Sequence, residues 1–448
     1  MKSLTQLLLL LALFIVRTGS AQETITPSTA LQAYLNNGDT NYQWSVRDSF
    51  QLKNVTGYNL ILTSQKWQKY MWRHQVTILV PSENQHDGAL LFITGGSNKD
   101  EQPNLKQNDD ELLSSLAQMA STNKAITAVI RQTPNQPLYG DLTEDELISY
   151  TLHNFKMDGD YNWPLLFPMV KSAVKGMDAI QEFSKKNLNH EIKRFVVSGA
   201  SKRGWTTWLT GAQDKRVVAI GPMVIDVLNM PVSLNYQLEV WKDYSVQIQD
   251  YVDLGIPQSA ETEGGRALNT MIDPYSYRKT LTMPKMIFIG TNDEYWPVDA
   301  IKNYYDSIPG KNLIHYVPNA GHDLGGGKQA LTGLSAFFGT TLLNKQYPEC
   351  KWTCTKKGTN IQLSVASTSD LLLDAVVWSA VSEDRDFRNE TFSKRSLGKK
   401  NESKINTDEA LPSTGFKAFY LDLKYQAPSG EPYTVSTRMF VADASGIL

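Results

Sequence analysis

Three residues that together could make a hydroxyl group nucleophilic stand far apart in the chain. Ser201 follows an apolar run, Asp293 follows the later apolar run 285–289, and His322 stands in a Gly-His-Asp loop. A serine hydroxyl attacks a carbonyl carbon when a histidine accepts its proton, and a carboxylate must hold that histidine in the correct tautomer. If the fold brings the three side chains together, the chemistry is cleavage of an ester or an amide.

The residues around Ser201 predict a sharp turn between a strand and a helix. Gly199 precedes the serine by two positions and Gly204 follows it by three, so the spacing is G-x-S-x-x-G, with Arg203 where a glycine is usual. Taken alone, this variant does not distinguish a nucleophile from an ordinary strand end. We expect the Lys202 amide to stabilise an oxyanion and Arg203 to line the substrate pocket; a solvated first helical turn is the alternative.

Other residues near these loops are predicted to complete the site. Gly95 and Gly96 follow an apolar run and predict a second oxyanion donor, although a simple tight turn explains the same pair. Tyr295 and Trp296 come directly after the acidic loop and are candidates for the pocket wall. The predicted chemistry requires neither a metal ion nor an organic cofactor.

Several carboxylates compete for the role of the acid. Asp293 is favoured because it follows a late strand, where the acid enters this order of serine, acid and histidine. Glu294, Asp299 and Asp226 remain alternatives, the last because it follows the strand near residue 220. Asp323 is interpreted as a residue that caps a turn.

Short apolar runs alternate with helix-compatible segments through most of the chain. The runs cover 89–94, 125–130, 194–198, 217–220, 285–289 and 313–317, and the helical segments cover 110–120, 167–185 and 298–307. Continuous apolar runs of this length are typical of a parallel sheet covered by helices on both faces. We therefore predict a doubly wound, mostly parallel α/β sheet, preceded by an antiparallel meander over 42–81.

Changes in sequence texture predict the domain organisation. A signal peptide is expected over 1–21, and the α/β domain over 22–346. The segment 226–280 is aromatic and irregular, as expected of a cap inserted over a site. Short strand-like runs separated by polar loops predict a small β-rich domain over 347–448.

The chain is expected to be exported. Lys2 is followed by the apolar run 7–16 and by small residues, and an uncleaved anchor is the alternative to a signal peptide. No later segment has the ~18 consecutive apolar residues of a membrane-spanning helix. The 44 basic and 46 acidic residues give a net charge of −2, which offers no broad field for nucleic acid or an anionic membrane.

Sequons and cysteines agree with an oxidising compartment. Asn54, Asn389 and Asn401 stand in N-x-S/T tripeptides and are predicted glycosylation sites. Cys350 and Cys354 are favoured as a disulfide, with free thiols as the alternative, and two cysteines are too few for a structural zinc site.

The segments that hold these candidates resemble one family. They are 198–208 (SGASKRGWTTW), 222–226 (PMVID), 290–296 (GTNDEYW) and 318–322 (PNAGH). The resemblance is to the PhoPQ-activated pathogenicity-related proteins and extends over about residues 25 to 440. It implies an α/β-hydrolase core and secretion, and G-x-S-x-x-G is that family's own form of the serine motif. It implies no substrate, since the biochemistry of the family is poorly defined.

The function predicted from the sequence is therefore that of a secreted serine hydrolase acting on an ester, amide or peptide. Ser201 attacks, His322 transfers the proton and Asp293 orients His322. The alternative is a secreted signalling protein on a hydrolase scaffold, which binds a cell-surface receptor instead of catalysing a reaction.

Overall fold

A single mixed β-sheet forms the centre of the protein in the computed structural model, which describes residues 24–108 and 110–448. Its N-terminal and central strands are β1 (Gln43–Leu52), β2 (Val55–Trp67), β3 (Tyr70–Pro81), β4 (Gly88–Ile93), β7 (Thr127–Ile130), β8 (Arg194–Ala200), β9 (Val217–Met223), β10 (Lys285–Gly290) and β11 (Asn312–Val317). The short strands β5 (Asn98–Lys99) and β6 (Gln102–Pro103) pair only with each other. The antiparallel meander β1-β2-β3 joins the parallel array β7-β4-β8-β9-β10-β11. The predicted doubly wound α/β fold is confirmed.

Helices cover both faces of the parallel strands. They are α1 (Ala30–Leu35), α2 (Glu111–Asn123), α3 (Glu144–Asp158), α4 (Leu166–Leu188), α5 (Lys202–Gln213), α6 (Met230–Trp241), α7 (Gln249–Asp253), α8 (Glu263–Ile272) and α9 (Lys328–Leu342). Apolar residues of α4 and α5 pack in one core cluster, and those of α2 and α9 pack in the other. Because the parallel strands are buried on both faces, their sequences are almost continuously apolar.

The helix predicted over 298–307 is wrong. The segment forms two short 3-10 turns, Ala300–Asn303 and Tyr305–Ser307. The Asn229 side chain donates to the carbonyl of Asn303, and Tyr304 turns inward to donate to the buried carboxylate of Asp226. These tertiary hydrogen bonds replace the regular helical ones, so local spacing alone misjudged the segment.

The chain between β9 and β10, predicted as a cap, carries α6, α7 and α8. The N-terminus of α6 is fixed by the Asp273 carboxylate, which accepts from the amides of Asn229 and Met230. Asp273 also accepts from the Tyr275 amide, and its burial raises its pKa to about 6 despite these three backbone donors. The two ends of the segment are thus held together at one edge of the sheet.

Most of the C-terminal strands extend the central sheet instead of standing apart from it. The strands of this part of the chain are β12 (Cys350–Lys357), β13 (Asn360–Ser367), β14 (Leu372–Ser382), β15 (Ser393–Ser396), β16 (Lys404–Ala410), β17 (Phe416–Gln426), β18 (Pro432–Ser436), β19 (Phe440–Asp443) and β20 (Gly446–Ile447). The order β11-β18-β17-β14-β15 continues the sheet, with Ile314 of β11 beside Ser436 of β18. Strands β12-β13-β16 form a second sheet.

The predicted disulfide is wrong. Cys350 and Cys354 are free and lie on the same strand, β12. Four residues of extended chain separate their Cα atoms by roughly 13 Å, whereas a disulfide needs less than about 7 Å. Burial raises the pKa values of both thiols, so neither is activated as a thiolate.

Some of the features that predict export lie outside the described residues and others lie within them. The predicted signal peptide, 1–21, lies outside. Among the described residues, no helix is long and apolar enough to span a membrane. Asn54, Asn389 and Asn401 are all exposed. Their glycosylation stays a prediction.

Candidate active site

Ser201 lies at the turn between β8 and α5 in a strained backbone conformation. Its φ of 57° and ψ of −125° fall outside the regions that a residue with a side chain prefers. The turn closes because glycines remove two clashes. A Cβ atom at Gly199 would lie 2.9 Å from the carbonyl oxygen of Ile93, and one at Gly204 would lie 2.6 Å from that of Met223. The position of Gly204 therefore explains the G-x-S-x-x-G spacing.

The structure brings Ser201, His322 and Asp293 together in one line. Ser201 Oγ lies 2.8 Å from His322 Nε2, and His322 Nδ1 lies 3.0 Å from each carboxylate oxygen of Asp293. The side chain of Asp293 is 2% exposed and that of His322 is 21% exposed. In this arrangement the histidine donates its Nδ1 proton to Asp293 and keeps Nε2 free to accept the proton of the serine.

The loop after β10 fixes His322 from three sides. The carboxylate of Asp293 also accepts from the Tyr295 amide, at 2.9 Å. The Tyr295 ring stacks on the imidazole, with 4.0 Å between centroids and 27° between planes. The Glu294 carboxylate accepts from the His322 amide at 3.0 Å. Tyr295 is therefore a wall of the imidazole as well as of the pocket.

The competing carboxylates have other partners. Asp226 is buried against the Tyr304 hydroxyl, 2.6 Å away, and burial raises its pKa to about 8. Asp299 accepts from the Tyr236 hydroxyl and pairs with Lys302. Asp323 caps the turn that follows it, as interpreted from the sequence.

The charged residues after Ser201 are held by acidic residues of α3. Lys202 Nζ lies 2.6 Å from the Asp145 carboxylate, and Arg203 donates to Glu144 at 2.5 Å and to the Thr133 carbonyl at 2.7 Å. Arg203, which was predicted to line the substrate pocket, is not among the residues that line the pocket beside Ser201. Its guanidinium instead lies against Gly95, where a Cβ atom would come within 2.4 Å of it.

Sheet register places the predicted oxyanion donors beside the serine. Ile93 of β4 pairs with Gly199 of β8 in parallel register, so Gly95 and Ser201 each stand two residues beyond this pair. The Lys202 amide belongs to the first turn of α5, where amides have no intrahelical acceptor. The assignment of these amides, and that of Gly96, to an oxyanion hole stays a prediction.

A pocket of about 720 Å³, including its open mouth, lies beside Ser201. Trp205 and Trp296 contribute from the core, Leu152 from α3, and several apolar residues from the cap. The cap residues of the wall are Val227, Met230, Leu234, Ile248, Tyr251, Ile256, Pro257, Ala260, Asn269 and Ile272. The cap thus supplies much of the surface that a substrate would meet.

Sequence reasoning missed the acidic residues that organise the pocket mouth. Asp145 accepts from the Tyr251 hydroxyl at 2.9 Å and lies 3.5 Å from the Tyr295 hydroxyl, in addition to its pair with Lys202. The acidic run 144–146 at the start of a helix was the available signal. That run equally suits a solvated N-terminal turn, so the sequence did not single it out.

A loop from the C-terminal part of the chain holds the two loops that carry Asp293 and His322. This loop, 383–392, joins β14 to β15. Asn292 donates to the carbonyls of Phe387, Arg388 and Glu390 at 3.0, 3.2 and 2.7 Å. Asn319, three residues before His322, exchanges two hydrogen bonds with the backbone of Phe392, at 3.0 and 2.7 Å.

The same loop reaches the cap. Arg385 pairs with Glu239 of α6 and donates to the Tyr236 hydroxyl. The Arg388 guanidinium lies over the Trp241 ring, 4.1 Å from its centroid. The loop 383–392 therefore contacts three parts of the site: the loop after β10 that carries Asp293 (the acid loop), the loop after β11 that carries His322 (the histidine loop) and the cap.

Comparisons with known proteins agree with this architecture. The family described as PhoPQ-activated pathogenicity-related protein matches residues 31–388. Autocrine proliferation repressor protein A of Dictyostelium discoideum is 30% identical over 434 residues, covering 89% of this chain and 86% of that protein. Acetyl xylan esterase 1 of a Thermoanaerobacterium species has a TM-score of 0.50 at 16% identity, covering 71% of this chain and 95% of the esterase. At that identity the esterase shows a shared fold and nothing finer.

Proposed function

The chain belongs to the PhoPQ-activated pathogenicity-related protein family, and from the geometry of its site we propose that it is a serine hydrolase that cleaves an ester or an amide. The observation that carries the proposal is the hydrogen-bonded line from Ser201 through His322 to Asp293, which ends at a pocket. The α/β-hydrolase scaffold and the strained serine turn support the same chemistry.

The proposed reaction proceeds in two halves. Ser201 Oγ bonds to the substrate carbonyl carbon while its proton passes to His322 Nε2, and backbone amides stabilise the oxyanion. The carbonyl re-forms, the bond to the leaving oxygen or nitrogen breaks, and His322 donates the proton to that atom. Water then attacks the carbonyl carbon of the acyl group on Ser201 and gives a proton to His322. The bond from that carbon to Ser201 Oγ breaks, His322 returns the proton to Oγ, and a carboxylic acid is released. Asp293 holds the imidazole and stabilises its charged form.

Covalent labelling tests the proposal. A fluorophosphonate reagent should modify the wild-type protein at Ser201, as read by peptide mass mapping, and Ser201→Ala should abolish the labelling. Ser429→Ala, in an exposed loop remote from the pocket, serves as the matched control and should label like the wild type. Equal labelling of wild type and Ser201→Ala would remove Ser201 from the mechanism.

His322→Ala should reduce the rate of labelling strongly, because without a proton acceptor the hydroxyl is a poor nucleophile. Asp293→Asn should also slow it, since an amide can hold the imidazole in the wrong tautomer. If Asp226→Asn were the slower of the two aspartate variants, the acid would have to be reassigned.

A second function is supported by the relative that is named as a proliferation repressor. In that case the protein binds a cell-surface receptor through its cap or its C-terminal strands, and catalysis is not its biological role. Purified wild type and Ser201→Ala would then act equally on responsive cells. If the wild type produced the cellular response and Ser201→Ala did not, that result would count against the binding function.

We propose that the protein is exported. The apolar run 7–16 and the exposed sequon residues Asn54, Asn389 and Asn401 support this. Deletion of residues 2–21 should retain the protein inside the cells that express it. Recovery of that variant in the medium at the wild-type level would contradict the proposal.

A further inference from the structure

We propose that the scissile carbonyl belongs to an apolar acyl group, such as an unbranched fatty acyl chain longer than acetyl, which the pocket beside Ser201 buries. This inference rests on the proposed serine hydrolase function and adds the substrate class. The pocket begins at the nucleophile and continues between the core and the cap. Its surfaces include Ile225, Leu234, Ile256 and Trp296. The aliphatic side chains of Ile225, Leu234 and Ile256 offer no hydrogen bonds to a sugar or to a charged group.

The charged residues of the wall are already paired with each other. Lys202 Nζ lies 2.6 Å from the Asp145 carboxylate, and both side chains are mostly buried. The Tyr251 hydroxyl donates to the same carboxylate at 2.9 Å. Because Lys202 is neutralised in this way, the pocket has no cation ready for an acidic substrate group. Binding a carboxylate there would require breaking the ion pair or leaving a buried charge unpaired.

The amount of apolar surface allows a quantitative expectation. Burial of one methylene is worth about 0.8 kcal/mol, which corresponds to roughly a fourfold increase in kcat/KM per added carbon. An acetyl group would leave most of the apolar wall without a partner. The gain in kcat/KM should continue until the acyl chain fills the pocket, and then stop.

A series of p-nitrophenyl esters from acetate to dodecanoate, assayed on the full-length protein, tests the proposal. Because the leaving group is the same in every ester, differences in kcat/KM report on the acyl chain. We expect kcat/KM to rise about fourfold per methylene through the short chains. p-Nitrophenyl hemisuccinate should be at least tenfold poorer than the butyrate of the same carbon number. A flat series, or a hemisuccinate that matches the butyrate, would overturn the apolar acyl assignment.

Cap variants show whether this pocket causes the preference. Ala260→Phe adds a ring inside the pocket and should lower kcat/KM for octanoate at least tenfold more than kcat/KM for acetate. Val246→Phe is the matched control, since Val246 lies on the same cap but is 72% exposed. If Ala260→Phe changed both esters equally, the acyl chain would lie elsewhere and the proposal would fail.

Asp145→Asn tests the neutralisation of Lys202. The variant removes the nearer of the two carboxylates beside the ammonium group, with Glu144 remaining at 3.8 Å, so the ratio of hemisuccinate to butyrate activity should rise several-fold. Asp243→Asn removes an exposed cap carboxylate outside the wall and should leave the ratio unchanged. An unchanged ratio in Asp145→Asn would show that Lys202 does not face the acyl group.

Fluorophosphonate labelling separates this proposal from the function on which it rests. Labelling at Ser201 with no dependence on chain length would leave a serine hydrolase standing and refute its apolar acyl substrate. Absence of both labelling and ester hydrolysis would refute the two together.

Discussion

Replacement of Asn292 by alanine should slow the proposed catalysis without removing any atom of Ser201, His322 or Asp293. The Asn292 amide donates to three carbonyls of the loop 383–392, and the next residue in the chain is Asp293. The Asn292 backbone amide also donates to the carbonyl of Ala320 in the histidine loop, at 2.9 Å. The substitution keeps that backbone bond and removes the tie to the C-terminal loop.

The hydrogen bonds set the expected magnitude. The Asn292 side-chain amide has two protons, so it makes the equivalent of two good hydrogen bonds to its three acceptors. Each bond contributes about 1 kcal/mol net, so the loop that carries Asp293 loses roughly 2 kcal/mol of stabilisation. If the restrained geometry is the one that transfers protons, kcat falls by up to about thirtyfold. KM changes little, because the pocket walls are untouched.

Steady-state hydrolysis of a p-nitrophenyl ester, together with thermal unfolding, measures this effect. Glu383→Ala, an exposed position on the same loop, is the control and should behave as wild type in both assays. We expect Asn292→Ala to lower the Tm by a few degrees. A lower Tm with unchanged kcat would mean that the loop 383–392 is a structural brace and does not position the catalytic acid.

Other expectations concern single groups. Tyr295→Phe should keep kcat near wild type and Tyr295→Leu should lower it about tenfold, because the stack on His322 needs the ring and not the hydroxyl; equal losses in both variants would refute this. Burial raises the pKa of Asp226 to about 8, so between about pH 4 and 8 the folded state holds a proton that the unfolded state releases, and stability falls as pH rises. Asp226→Asn should flatten that fall in Tm. Reductant should leave the Tm unchanged and thiol titration should detect Cys350 and Cys354 after unfolding, whereas a disulfide-linked peptide would contradict the structure.

The central sheet and the proximity of Ser201, Asp293 and His322 could be predicted because the sequence patterns that indicate them are local. Each parallel strand is buried on both faces and is apolar over its whole length, as in 285–289 and 313–317. Ser201, Asp293 and His322 each follow such a run, and strands that run parallel deliver the residues after them to one edge. No long-range information was needed to place them together.

The features that escaped prediction depend on pairing between distant segments. A single strand pattern does not say whether its edge meets a new domain or an existing sheet, so the pairing of β18 with β11 could not be read from the sequence. The partnership of Asp145 with Lys202 joins two helices in the same way. The spacing of Cys350 and Cys354 fits a disulfide loop, but only the extended strand shows that the thiols stand too far apart.

A second serine–histidine hydrogen bond shows which features give the site its chemistry. Ser64 Oγ lies 2.9 Å from His74 Nε2, as close a contact as the one at Ser201. His74 Nδ1 donates to a backbone carbonyl instead of a carboxylate, and burial lowers the pKa of this histidine to about 4. An imidazole that resists protonation and meets no carboxylate cannot take the proton of an attacking hydroxyl at neutral pH. His322 differs in having Asp293 behind it and a pocket in front, so the surroundings of the pair, and not the contact itself, support the hydrolysis that we propose at Ser201.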